Sequence, residues 1–158
     1  MSTVNMIQTL IEYHTTTTRR VWDSIEKLTD EQFLQDDAYS RGSIRNLMVH
    51  LASTDRRWLA GLKNLPDTGH LDFKDYPTRA SGRAIFEIVA KDLMDYVPSL
   101  TEAELEGIPA GMPTTRSMVL LHLANHGTDH RATVLERLIA IGAPTFEQDF
   151  IFWLRPGK

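Results

Sequence analysis

The segment that most constrains the fold is residues 121–131, in which three of the six histidines stand four residues apart within a stretch of helical character. On an α-helix, side chains four residues apart lie about one turn apart on the same side, so two imidazoles at this spacing can bind one metal ion. His122 and His130 are two turns apart, about 12 Å along the axis, and cannot share it. The segment therefore predicts a helix that supplies half of a metal site, with a further ligand from elsewhere in the chain.

Helical periodicity distinguishes the two candidate pairs. At about 100° per residue, this helix has an apolar stripe that consists of Val119, Leu123, Val134, Leu138 and Ile141. His126 and His130 project onto the edge of the stripe, whereas His122 projects with Asp129 on a more polar face. The pattern favours His126 with His130 over His122 with His126. The alternative for each is a hydrogen-bonded core or boundary histidine without a metal.

The same motif resembles a known family. Asn125-His126-Gly127-Thr128-Asp129-His130-Arg131 is similar to the N-H-x-x-x-H-R signature of the DinB (damage-inducible) family of four-helix metalloproteins. Residues 43–51 with Arg57-Trp58-Leu59 resemble the second helix of that family, and residues 149–152 resemble its C-terminal tail. The resemblance implies an all-α, DinB-like four-helix bundle with a divalent metal bound by His50, His126 and His130, between helices two and four. The frequent H-R-G-Q continuation is absent, so no particular substrate carries over.

The third ligand has a rival in the sequence. Periodicity by itself places His50 at the boundary of the apolar face of its helix, whereas His14 projects centrally onto the apolar face of the first helix. His14 is therefore either the third ligand, a wall of a cavity near the metal, or a core histidine bonded to a hydroxyl or carbonyl group. The resemblance favours His50 as the ligand, because the matching family motif surrounds it.

The chain as a whole predicts one helical domain over residues 1–158. Apolar residues at helical spacing predict long helices over residues 3–28, 43–63, 79–97 and 114–142, with short capped turns beginning at Thr29 and Thr101. Turn-rich connections at residues 64–78 and 107–114 are expected to control access to one end of the bundle. The apolar tail at residues 146–154 must pack, either on its own bundle or on a partner subunit in a homodimer.

Composition excludes several classes of function. The chain has no cysteine, which excludes disulfides, thiolate ligands and a cysteine nucleophile. A net charge of −4 over 158 residues, without a long basic run, predicts no binding to nucleic acid or to an anionic membrane. The N-terminal residues lack the pattern of a signal peptide, and no stretch approaches the about 18 apolar residues of a membrane span. We therefore expect a cytoplasmic protein.

Three histidine ligands with an open position are typical of a catalytic metal site. Imidazole suits zinc, nickel, iron and copper alike, so the sequence does not select the metal. The resemblance implies an enzyme of the transferase or isomerase type that uses an exogenous low-molecular-weight thiol on a small-molecule substrate. The alternatives are a non-catalytic, stress-associated metal-binding protein and a metal-dependent hydrolase, although the motif lacks the glutamate of H-E-x-x-H hydrolases. Asp129 is expected to be a surface residue or a general base, and Arg131 a structural ion-pair residue or a substrate carboxylate ligand.

Overall fold

The computed structural model describes residues 2–37 and 41–155, and this part of the chain contains helices and no strand. The helices are α1 (Thr3–Ile25), α2 (Asp30–Leu34), α3 (Ile44–Leu62), α4 (Arg79–Tyr96), α5 (Glu102–Glu106), α6 (Arg116–Ala140) and α7 (Phe150–Trp153). Two short 3₁₀ turns lie at Phe73–Asp75 and Val97–Ser99. The prediction of an all-helical fold is confirmed.

The four long helices, α1, α3, α4 and α6, begin where the sequence provides a capping side chain. Ser2, Ser43, Thr78 and Thr115 each accept a hydrogen bond from the backbone N–H three residues later. These bonds satisfy backbone donors that have no partner within the helix. At its other end, α6 stops at Ala140, two residues before Gly142, whose φ of +71° suits glycine. The predicted long helices are therefore correct in position, with ends that differ by a few residues.

The long helices are arranged around a common core. Helix α1 packs most extensively on α6, and α3 packs on both α4 and α6, while α4 also contacts α1. This order around the core places α1 diagonally opposite α3. Side chains of α1 and α3 that meet must therefore cross the interior of the protein.

The interior consists of two apolar clusters with polar residues between them. Along α1, Ile11 belongs to one cluster and Val21 to the other, and the intervening buried residues include His14 and Thr18. Helix α3 contributes to the same two clusters in the opposite order along the chain, and buried Asp55 lies between its two apolar groups. On α6, Gly127 and buried Arg131 occupy the intervening positions. We call His14, Thr18, Asp55 and Arg131 the polar layer.

The C-terminal tail lies on the outer side of α1. The ring of Tyr13 makes edge contacts with Phe150 and Trp153, with centroids 5.1 and 5.8 Å away. The indole N–H of Trp153 donates to Thr16 Oγ1 at 3.0 Å. The tail therefore covers part of its own chain, as one of the two sequence-based alternatives expected. None of the helices in the described ranges has the length and apolar character needed to cross a membrane.

Candidate metal centre

Three histidines from two helices converge at one point. His50 lies on α3, His126 and His130 lie on α6, and one ligand nitrogen of each lies within 4.8 Å of the others. The Nε2 atoms of His126 and His130 are 3.0 Å apart. Two nitrogens that each bind an ion at about 2.0–2.1 Å are separated by roughly 3–3.4 Å at common coordination angles. The spacing of this pair therefore fits a shared ion, and the all-imidazole donor set suits a transition metal.

Burial keeps these imidazoles neutral. It lowers the pKa of His50 to about 3, with further lowering by Arg41 and the neighbouring histidines. Burial likewise lowers the pKa of His126 to about 4. The pKa of His130 is also lowered by burial, and Asp129 partly opposes that effect. At neutral pH all three rings thus carry a lone pair, which is the form that binds a metal ion.

His122 lies outside this cluster. Its side chain is exposed, and its ring packs at an angle on Trp58, with centroids 5.5 Å apart. The ring centroid of His126 is 5.6 Å from that of His122, compared with 4.3 Å from that of His130. The structure thus brings together the pair that helical phase favours, with His50 as its neighbour. That these residues bind a metal stays a prediction.

His14 is fully buried and also lies outside the cluster. Its Nε2 is 2.8 Å from Asp55 Oδ2, and its Nδ1 is 3.0 Å from Arg131 Nη1. Because a guanidinium only donates hydrogen bonds, Nδ1 must accept, so Nε2 carries the proton and donates to Asp55. Of the three roles expected for His14, that of a core histidine is closest to the structure. The partners of His14 are a carboxylate and a guanidinium, rather than the expected hydroxyl or carbonyl group. Asp55, which is 2% exposed, was not predicted from the sequence.

Arg131 has a structural position inside the protein. Its side chain is 0% exposed and donates hydrogen bonds to His14, Thr18, Thr128 and Gln148. These partners differ from the ion pair that the sequence suggested, because the guanidinium reaches the carboxylate of Asp55 only through His14. Its buried position also leaves no surface for a substrate carboxylate.

Gly127 allows His14 to enter the core. A Cβ atom at Gly127 would lie 2.1 Å from Nδ1 and 2.3 Å from Cε1 of His14. The ring of His14 therefore rests directly on the backbone of α6, next to His126. Any larger residue at position 127 would occupy the space of the ring, so the glycine within the H-x-x-x-H motif has a packing role.

One side of the histidine cluster opens on a cavity. His50 contributes to the wall of a cavity of about 410 Å³, and the other lining residues are Arg41, Ser53, His70, Leu71, Asp72 and Phe73. Nδ1 of His70 lies 3.3 Å from Oγ of Ser53, and the ring centroids of His70 and His50 are 6.2 Å apart. The connection at residues 64–78 thus contributes the wall opposite α3. His70 was missed in the sequence because a loop histidine has no periodicity to place it.

Comparisons with known proteins agree with this fold. The sequence model of the DinB family matches residues 1–154. The crystal structure of a DinB-like protein from Bacillus cereus ATCC 10987 superposes with a TM-score of 0.62 at 24% identity, over 86% of this chain and 92% of that one. At that identity the likeness bears on the fold alone. A comparison with curated proteins gave no match.

Proposed function

This chain belongs to the DinB family, and on that premise we propose that it is an enzyme whose divalent metal ion, held by His50, His126 and His130, activates a small exogenous thiol. The proposal includes the arrangement of the long helices as a four-helix bundle, with the ion between α3 and α6. The observation that carries it is the convergence of three neutral imidazoles beside a cavity. A transferase or isomerase reaction on a small molecule fits such a site best.

The residues of the chain provide binding and access. The three imidazoles leave further coordination positions free, as in catalytic rather than structural sites. When bound, a divalent ion supplies Lewis-acid chemistry that lowers the pKa of a thiol or a water molecule. The cavity of about 410 Å³ has the size of a small-ligand pocket, and Ser53 and His70 offer polar groups in its wall. Since the chain has no cysteine, the thiol must come from solution.

A non-catalytic metal-binding protein associated with stress is the second candidate. Its support is that the histidines come from different helices, so that an ion would tie α3 to α6. A metal-dependent hydrolase has weaker support, because Asp129, the acid within the motif, is exposed and adjacent to the ligand His130. Neither alternative requires a thiol.

Metal content after dialysis tests the binding part of the proposal. Protein purified without a histidine tag should retain about one zinc, nickel or iron ion, whereas His50→Ala, His126→Ala and His130→Ala should each lose it. His122→Ala is the matched control, because it removes a neighbouring imidazole of the same helix and should keep the ion. Circular dichroism confirms that each variant is folded. A full site in the three ligand variants, or an empty one in His122→Ala alone, would refute the assignment.

Turnover tests the catalytic part. The metal-loaded protein should consume a small electrophile with a low-molecular-weight thiol, lose this activity on chelation, and regain it when the metal is restored. If the metal-loaded protein turns over no thiol and chelation only unfolds it, the non-catalytic candidate is correct. If it hydrolyses esters or amides without any thiol, the hydrolase is correct.

A further inference from the structure

The polar layer costs free energy that an apolar interior would not. His14 and Arg131 are 0% exposed and Asp55 is 2% exposed, so their polar groups are withdrawn from water. Burial of charged groups is unfavourable unless every group is paired. Even a fully paired buried network often stabilises the folded state less than apolar residues of similar volume would. The position of this layer beside the histidine cluster suggests that it serves the site.

Two buried atoms near the cluster have no hydrogen-bond partner among the described residues. One is Oδ1 of Asp55 and the other is Nδ1 of His126. Asp55 lies on α3 and His126 lies on α6, which pack against each other. The carboxylate of Asp55 is bonded to His14, whose ring rests on Gly127, the residue after His126. The carboxylate with the free acceptor is therefore separated from the backbone beside His126 by one hydrogen bond and the ring of His14.

We propose that Asp55 is a positioning residue for the metal ligand His126: when the ion binds, rotation of these side chains lets Oδ1 of Asp55 accept the Nδ1–H of His126, while Oδ2 keeps the Nε2–H of His14. The two atoms make no hydrogen bond to each other in the described structure. The hydrogen bond fixes the tautomer of His126 with the lone pair on Nε2, the atom that faces His130. Metal-binding histidines commonly donate their other nitrogen to a carboxylate in this way. The proposal rests on the proposed metal site, because it concerns how one of its ligands is held.

Arg131 makes the role of Asp55 testable. Because Arg131 can only donate, the proton of His14 stays on Nε2 and requires an acceptor at position 55. In Asp55→Asn, the amide oxygen would take that proton, and the amide NH₂ would face Nδ1 of His126. His126 would then accept at Nδ1 and carry its proton on Nε2, where the ion should bind. The isosteric variant should therefore weaken metal binding through the wrong tautomer.

The experiment is a competition titration of zinc against a chelator for the full-length wild type, Asp55→Asn and Asp129→Asn. Asp129→Asn is the matched control, because it removes the same charge next to His130 while its side chain is exposed. We expect affinity to fall about 10–100-fold in Asp55→Asn and to change less than about threefold in Asp129→Asn, as for a screened surface charge. Thermal unfolding of the metal-free proteins confirms that both variants fold.

A second measurement uses the wild type alone, so the proposal stays testable if Asp55→Asn fails to fold. Ring nitrogen NMR of the zinc-loaded protein should show His126 protonated at Nδ1, with a proton that exchanges slowly with water. Binding of zinc through Nδ1, rapid exchange of that proton, or equal losses in the two aspartate variants would overturn the role of Asp55. If the wild type takes up no zinc, nickel or iron, the metal site itself is wrong and this proposal falls with it. If it binds zinc and Asp55→Asn binds equally well, only the positioning role is wrong.

Discussion

Replacement of Gly127 by alanine should destabilise the protein, although alanine is the better helix former. The new Cβ would lie 2.1 Å from Nδ1 of His14 and 2.8 Å from Nη1 of Arg131. Carbon atoms in contact prefer separations of about 3.5–4.0 Å, so the ring must move by more than about an ångström. It cannot do so freely, because Asp55 holds it at 2.8 Å on one side and Arg131 at 3.0 Å on the other.

The size of the effect follows from three contributions. Overpacking of a close-packed core costs about 1–3 kcal/mol. Displacement of a hydrogen bond to a charged partner of His14 costs about 1.5–3 kcal/mol. The higher helix propensity of alanine offsets about 1 kcal/mol of this. We expect a net loss of about 2–4 kcal/mol, which lowers the Tm of a chain of this length by roughly 6–12 °C at about 3 °C per kcal/mol.

Gly61→Ala provides the matched control for this prediction. Its new Cβ would also be close to another side chain, at 2.7 Å from Sδ of Met112, but that chain is flexible and partly exposed. Its stability should change by less than about 1 kcal/mol. Thermal and urea unfolding of the metal-free proteins give the comparison. A Gly127→Ala variant as stable as the wild type would show that His14 does not rest on α6 and would refute the described polar layer.

Two further predictions concern pH and the connections. The folded pKa values of His50 and His126 lie below that of a free imidazole, so the unfolded chain binds protons that the folded chain does not. Stability of the metal-free protein should therefore be unaffected above about pH 6.5 and fall as the pH decreases toward about 3; unfolding at a series of pH values measures this, and a flat profile would contradict it. Limited proteolysis should cut first within residues 64–72 or 107–114, with helicity retained, and protection of both would show that they are packed parts of the core.

The sequence predicted the helices because their signals are local. Thr29 and Thr101 cap the short helices α2 and α5, as the sequence predicted, and the apolar spacing marks the buried faces of the long helices. The end of α1 was misplaced at Leu28, whereas the helix ends at Ile25. Leu28 is 3% exposed and packs into the core from the turn that follows the helix. Its position continues the apolar spacing past the true end, so periodicity alone could not locate that end.

The polar layer could not be predicted in the same way. His14 had the correct helical phase, but its partner Asp55 lies 41 positions away on the diagonally opposite helix. The ring of His14 has room to reach Asp55 because Gly127 lacks a side chain. The contact therefore depends on α1, α3 and α6 together. Within the metal centre, by contrast, His126 and His130 are one turn apart on one helix, so their common orientation was evident from spacing. His50 required the family resemblance.

Replacement of the polar layer by apolar residues should separate stability from metal binding. In the triple variant His14→Leu, Asp55→Leu, Arg131→Met, the three titratable residues of the polar layer are removed together, so no buried charge remains unpaired. Thr18 stays, with its hydrogen bond to the backbone carbonyl of residue 14. Comparable replacements of buried ionic networks are neutral or stabilising by about 1–4 kcal/mol. We therefore expect the metal-free variant to unfold at the same or higher urea concentration than the wild type.

The same variant should bind metal less well. If Asp55 holds His126 in the correct tautomer, its removal leaves Nδ1 of that ligand without an acceptor, and zinc affinity should fall about 10–100-fold. Urea unfolding without metal and zinc competition with metal measure the two quantities on one preparation. A variant that is several kcal/mol less stable yet binds zinc as tightly as the wild type would show that the layer maintains the fold and not the site. The expected combination would explain why a costly polar layer lies beside the histidines rather than elsewhere in the core.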